Sequence, residues 1–247
     1  MSKRNKDKTG ICAFCGAEGK MTKDHVPLRN LFAGFSDDGL IKVPSCNKCN
    51  GETKLDDEYF RAFLIPQDDI ATHHQAKKLN EIVRKKFDES ESKGLEMRMN
   101  SQLHIKELYT PAGIYLGKRE LIYPEYPRID RILKKILKGL YFHLIKRPFP
   151  SGFFHIAVVE RSQIINLQTV LKINLDFWVD ELTRYPINNI YDVFSYKCAA
   201  SANSSISAWS LTFFEKREFF GITYPMAFGN EIKLTDSDPN EAVVLSI

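Results

Sequence analysis

No run in the chain approaches the roughly 18 to 20 uninterrupted apolar residues that a membrane-spanning helix needs. The opening Met1 to Lys8 is polar and charged, without the apolar core of a signal peptide. These two absences point to a cytosolic protein with no membrane association. Internal repeats and low-complexity tracts are also missing, which excludes solenoids and disordered polar chains. Cysteine is scarce: there are five among 247 residues, and four of them fall between positions 12 and 49. So few do not make a disulfide scaffold, and in a reducing compartment a local cluster of four is expected to bind metal. The fifth, Cys198, sits in a strand-like stretch and reads as a small buried hydrophobe.

With 43% apolar and 12% aromatic residues the chain can bury a substantial core, and its length allows one large domain or two smaller ones, of which two are expected. The net charge of +4 is modest, but it is unevenly placed. Residues 1 to 54 hold ten Lys/Arg against six Asp/Glu, whereas the remainder holds 25 of each. The whole excess therefore lies on the cysteine-bearing segment, where a phosphate-backbone partner would find it.

Within that segment Cys12-Ala-Phe-Cys15 and Cys46-Asn-Lys-Cys49 form two C-x-x-C pairs, 30 residues apart. The two-residue gap lets both thiolates of a pair reach one ion from a tight turn. Two such pairs complete the all-sulfur tetrahedron that structural Zn2+ prefers. Between them Lys20 to Val26 reads as a short strand carrying Asp24 and His25. A loop follows through Pro27, Arg29 and the Ser36 to Gly39 turn, and Leu40 to Val43 reads as the returning strand. Cys46 to Lys54 is expected to begin a helix with Asn50 and Lys54 on one face.

Farther along, Tyr59, Phe60, Phe63 and Leu64 follow the acids Asp56 to Glu58, as at a helix start, and Ala71 to about Ser90 reads as another helix. His73 and His74 fall in its polar part and are expected to be exposed. Glu89 to Gly94 is a polar break, and residues 95 to 123 read as strand-rich, with Met97-Arg98-Met99 alternating. Ile129 to Lys146 is the clearest helix. Ile129, Ile132, Leu133, Ile136, Leu137, Leu140 and Leu144 form one apolar stripe, with Lys134, Lys135 and Lys138 off it. Stretches rich in β-branched and aromatic residues at 153–159, 191–199, 208–214 and 218–223 predict an antiparallel sheet packed against that helix.

Asp24 and His25 suit metal-assisted hydrolysis of a phosphodiester. A carboxylate holds a divalent cation, a neutral imidazole takes a proton from water, and Asn50 offers a second oxygen ligand. The pattern C-x-x-C, Asp-His-Val-Pro, Val-Pro-x-Cys-x-x-Cys-Asn and then Lys54 resembles the HNH endonuclease family in its zinc-knuckled, recombination endonuclease VII-like form. The likeness covers about residues 9 to 60. It implies a ββα-metal module with His25 as general base, Asp24 and Asn50 as ligands of catalytic Mg2+ or Mn2+, and Cys12, Cys15, Cys46 and Cys49 on structural Zn2+. It also implies a phosphate contact at Lys54, and Arg29 and Lys48, as basic residues of the same segment, are further expected nucleic-acid contacts. Where many members carry an Asn that holds the histidine loop, this chain has Ile41, and Asn30 is a substitute by residue type alone.

The expectation is thus an α+β chain. Residues 1 to 65 form an HNH ββα-metal module, 66 to 94 a helical connector, and 95 to 247 a larger α+β domain. The module is expected to cleave DNA, in double-stranded form, with low intrinsic specificity. The later domain would serve targeting, or regulation by a protein or ligand as in a toxin-like effector held in check. The alternative is a non-catalytic zinc module that binds nucleic acid or protein.

Overall fold

A computed structural model describes residues 8–66, 69–87, 93–201, 206–228 and 243–244. Up to position 7, the charged arm expected over residues 1 to 9 lies outside the described residues. So does the polar break expected from 89, up to position 92.

The chain opens with a three-stranded antiparallel sheet, β1 (Lys8–Ile11), β2 (Glu18–Val26) and β3 (Ile41–Ser45), in the order β1-β2-β3. The first cysteine pair makes the turn between β1 and β2, where Gly16 takes a φ of 73° that a side chain would resist. α1 (Asn47–Glu52) leaves β3 directly, and α2 (Lys54–Leu64) follows it. The single helix expected across Asn50 and Lys54 is therefore two. Thr53 leaves helical geometry at φ −102° and ψ 4°, in a stretch where Gly51 and Thr53 are both weak helix formers.

α3 (His74–Phe87) and α4 (Lys93–Ser101) come next. The strand expected through Met97-Arg98-Met99 is corrected to α4. Met99 is buried and Leu95 packs against the core, whereas Met97 is 71% exposed, so the operative spacing is four residues and not two. A hairpin of β4 (Leu103–Tyr109) and β5 (Tyr115–Ile122) precedes the long helix α5 (Tyr126–Ile145). Pro127 sits in the first turn of α5, and Lys146 caps its end in the left-handed conformation.

The remaining elements are β6 (Phe154–Glu160), α6 (Ile164–Leu171), α7 (Leu175–Thr183), β7 (Asn188–Ile190), β8 (Phe194–Ala200), β9 (Ser207–Phe213), β10 (Arg217–Pro225) and β11 (Val243–Val244). β11 pairs with β5, and the others form a five-stranded antiparallel sheet in the order β6-β10-β9-β8-β7. This sheet is buried on both faces. Ile156, Val158, Trp209, Leu211, Phe213 and Phe219 join the core that contains α5 and α2. Ala157, Val159, Ala208, Phe220, Ile222 and Tyr224 pack with α6 and α7. Period-two alternation along each strand assigns one set to each side.

α5 lies between this sheet and the N-terminal hairpin, so its buried surface is wider than the one stripe expected. Lys134 and Lys135, placed off the stripe by their spacing, are each only 9% exposed. One buried cluster extends from Phe14 and Val26 through Ile136 to Phe213. Among the described residues no helix is long and apolar enough to cross a membrane.

α5 packs tightly on the hairpin at Gly139, where an added Cβ would lie 2.5 Å from Val26 Cγ2. In an open helix Gly→Ala gains about 1 kcal/mol, but overpacking costs about 1 to 3 kcal/mol. Gly139→Ala should therefore lower stability to urea, and adding Val26→Ala should recover part of the loss. A Gly139→Ala chain as stable as the parent would refute this packing.

Candidate metal centre and adjoining acid–base residues

The four sulfurs of Cys12, Cys15, Cys46 and Cys49 all lie within 4.8 Å of one another. A tetrahedron with Zn–S bonds of about 2.3 Å has edges of about 3.8 Å, and Cys15 Sγ to Cys46 Sγ measures 3.9 Å. The donor set and its spacing thus fit a structural ion such as Zn2+. Two elements bring the pairs together. Ala13 N–H donates to Pro44 O at 2.8 Å, fastening the first turn to the end of β3. Cys46 then caps α1, its Sγ accepting the Cys49 N–H at 3.5 Å. The Cys46 N–H points at Cys12 Sγ at 3.4 Å. Burial raises the Cys12 thiol, but backbone N–H groups led by Cys46 outweigh it and bring it down to about 7. Cys198, expected as a small buried hydrophobe, lies apart and is partly buried against the core, with burial pushing its thiol up to about 12.

Asp24 and His25 are adjacent on β2, so Asp24 shares a strand face with Thr22 and His25 takes the opposite one. Asn50, on α1, donates its amide to Thr22 Oγ1 at 2.8 Å. Asp24 Oδ1 accepts the His25 N–H at 2.9 Å. Its other oxygen is 2.9 Å from the Lys135 ammonium, in an ion pair with side chains 9% and 13% exposed. Lys135 also donates to Thr53 Oγ1 at 2.7 Å and lies 5.4 Å over the Phe14 ring. Beside this group burial pushes the Asp57 carboxyl up to about 6, with Lys135 opposing the rise and Asp24 adding to it.

On the other face of β2, His25 Nε2 lies 3.3 Å from Asp37 Oδ2. Arg29 Nε at 2.6 Å and Lys42 Nζ at 3.0 Å brace the same carboxylate. Lys42 first, then His25 and Arg29, hold Asp37 down at about 2, so it stays ionised. Asp37 is the residue that sequence reasoning missed: the Ser36 to Gly39 stretch signals a turn, and nothing local says that the turn folds back onto His25. Ile41 pairs with Val26 in the strand register. Asn30 donates to Asp57 O at 2.9 Å, on α2.

The guanidinium of Arg29 also donates to the carbonyls of Phe32 and Phe35, closing the loop after β2. Lys48 and Lys54 are exposed, on α1 and at the start of α2. Comparison with protein-family models, curated proteins and solved structures returned no match.

Two outcomes test this arrangement. Cys46→Ser should hold one equivalent of zinc less than the parent chain by elemental analysis and should unfold at lower urea. Equal zinc content would remove the metal assignment. For Asp57 the folded carboxyl titrates near 6, whereas an unfolded Asp titrates near 4. The folded chain therefore binds the extra proton between these values. The resulting stability is fully present below about pH 4 and is lost as pH rises through about 6. Asp57→Asn should flatten that part of the stability profile measured by urea titration, and an unchanged slope would contradict the assignment.

Proposed function

We propose that this chain is a metal-dependent endonuclease of the HNH kind that hydrolyses phosphodiester bonds in DNA. The observation that carries the reading is the hairpin β2-β3 leading straight into α1, closed by four thiols, with Asn50 tied to Thr22 two residues before Asp24. In this reading Asp24 and Asn50 supply hard oxygens of the kind that hold Mg2+ or Mn2+. The bound ion would neutralise charge on the scissile phosphate.

His25 is the base. Donating Nε2–H to the ionised Asp37 leaves the lone pair on Nδ1, free to take a proton from water. Arg29 and Lys42 keep Asp37 charged and in place, so that Asp37 orients His25 where the expected Asn would have held the histidine loop. Lys48 and Lys54, exposed on a segment that holds the whole basic excess, are positioned for the phosphate backbone. Few of these groups could read base edges, so specificity would come from the later elements or from partners.

One observation favours a second reading, a non-catalytic zinc module that binds nucleic acid or protein. The Asp24 oxygen that an ion would use is occupied by Lys135 in a nearly buried pair. In the nuclease reading the ammonium must leave before a cation binds, and a protein or ligand that shifts α5 would control that step.

Supercoiled plasmid incubated with the pure protein and Mg2+ or Mn2+ discriminates between the two. The parent chain should nick it, and His25→Ala should slow nicking by about 10² to 10⁴, the usual contribution of a general base. Plasmid left equally intact by both chains across ions would leave the zinc module as the function.

A further inference from the structure

Away from the thiolates, three separate stretches of chain converge on one point. His73 and His74 stand at the start of α3, Asp192 lies between β7 and β8, and Glu215 lies in the turn between β9 and β10. His74 Nε2 is 3.1 Å from Asp192 Oδ2, and His73 Nε2 is 3.6 Å from the same oxygen. Glu215 Oε2 is 3.9 Å from His73 Nε2. The ligand atoms of His73, His74 and Asp192 all fall within 4.8 Å of one another, and the two rings stack with centroids 4.7 Å apart.

A tetrahedral ion with bonds of about 2.0 to 2.1 Å to nitrogen and oxygen requires ligand atoms about 3.3 to 3.4 Å apart. The two distances to Asp192, 3.1 Å from His74 and 3.6 Å from His73, fall on either side of that value.

A second observation points to a ligand. The His73 side chain is only 9% exposed, and its buried Nε2 has no hydrogen-bond partner among the described residues. A ring nitrogen in that position loses hydration without replacement. Both nearby carboxylates lie beyond hydrogen-bond length from it, so ion pairing does not satisfy it. An ion between the three groups would. The two carboxylates also line a cavity of about 320 Å³ with Ser195 and Asn189, which leaves room for water to complete a coordination shell.

We infer that His73, His74 and Asp192, with Glu215 at its edge, form a second site for a divalent transition-metal ion, Zn2+ in first place. Two imidazoles with carboxylates suit a borderline ion of this class, whereas Mg2+ and Ca2+ favour all-oxygen shells. Coordination through His73 Nε2 places the ring proton on Nδ1 and gives up the 3.2 Å contact from the Gln75 N–H. The start of α3 keeps the Lys77 N–H on the His73 carbonyl at 3.0 Å. The ion would pin that helix to the turn ends of the five-stranded sheet. The site shares no residue with the thiolate cluster and does not depend on nuclease activity.

The test is zinc capacity. Full-length chain with its thiolate site loaded, then titrated with Zn2+, should take up one further equivalent. His74→Ala, which removes a side chain that is 71% exposed and so should not disturb the fold, should weaken that uptake at least tenfold, and Asp192→Asn should do the same. Neither should release the thiolate-bound zinc. Co2+ in the second position should give ligand-field absorption without sulfur-to-cobalt charge transfer. No further uptake by the parent chain, or uptake unchanged in both variants, would overturn the inference.

Discussion

Four sulfurs within 4.8 Å of one another, one of them fully buried, form an arrangement that could hold a structural cation such as Zn2+. As thiols they have little reason to converge, and as thiolates they repel. An ion at their centre removes both objections and makes binding free energy part of folding free energy. Much follows from that closure. It joins the β1-β2 turn to the end of β3 and fixes where α1 starts. It thereby sets Asn50 against Thr22 and leaves Asp24 and His25 on the last turns of a short strand.

The second constraint is Lys135. A lysine at this position of a long helix would ordinarily reach solvent, but α5 is covered on both sides and its ammonium ends on Asp24 and Thr53. Removing one member of such a buried pair costs about 3 to 5 kcal/mol, so the contact firmly couples the helix to the hairpin. The same contact separates the two functional readings. If Asp24 is a metal ligand, Lys135 is the group a divalent ion must displace. If it is not, the pair is a structural contact that adds to the apolar core shared by the hairpin and α5.

Much of this was legible in the sequence because the relevant signals are local. Two C-x-x-C pairs can be read without a structure, as can the aromatic and β-branched runs that became β6, β8, β9 and β10. The apolar stripe of α5 is equally plain. What was not legible depends on distant partners. α6 and α7 carry no clean stripe, since Ile165 and Val170 are exposed among apolar neighbours, and only the second face of the sheet explains their packing. Asp37 reaches His25 through a loop whose course depends on Arg29 binding its own backbone carbonyls. His73, read as exposed in a polar stretch, has its side chain covered because Asp192 of the β7-β8 connection and Phe214 and Glu215 of the β9-β10 turn lie against it. Lys135, placed off the stripe by its spacing, is buried for a related reason, since spacing reports one face of a helix and α5 is packed on two.

The most direct test of the account is anomalous diffraction at the manganese edge from crystals of the full chain soaked in Mn2+. A peak within bonding distance of Asp24 and Asn50, with Lys135 Nζ moved off the carboxylate, is what a nuclease site predicts. An intact Asp24–Lys135 pair with no manganese beside it would contradict that account and leave the thiolate cluster as a structural element of a binding module.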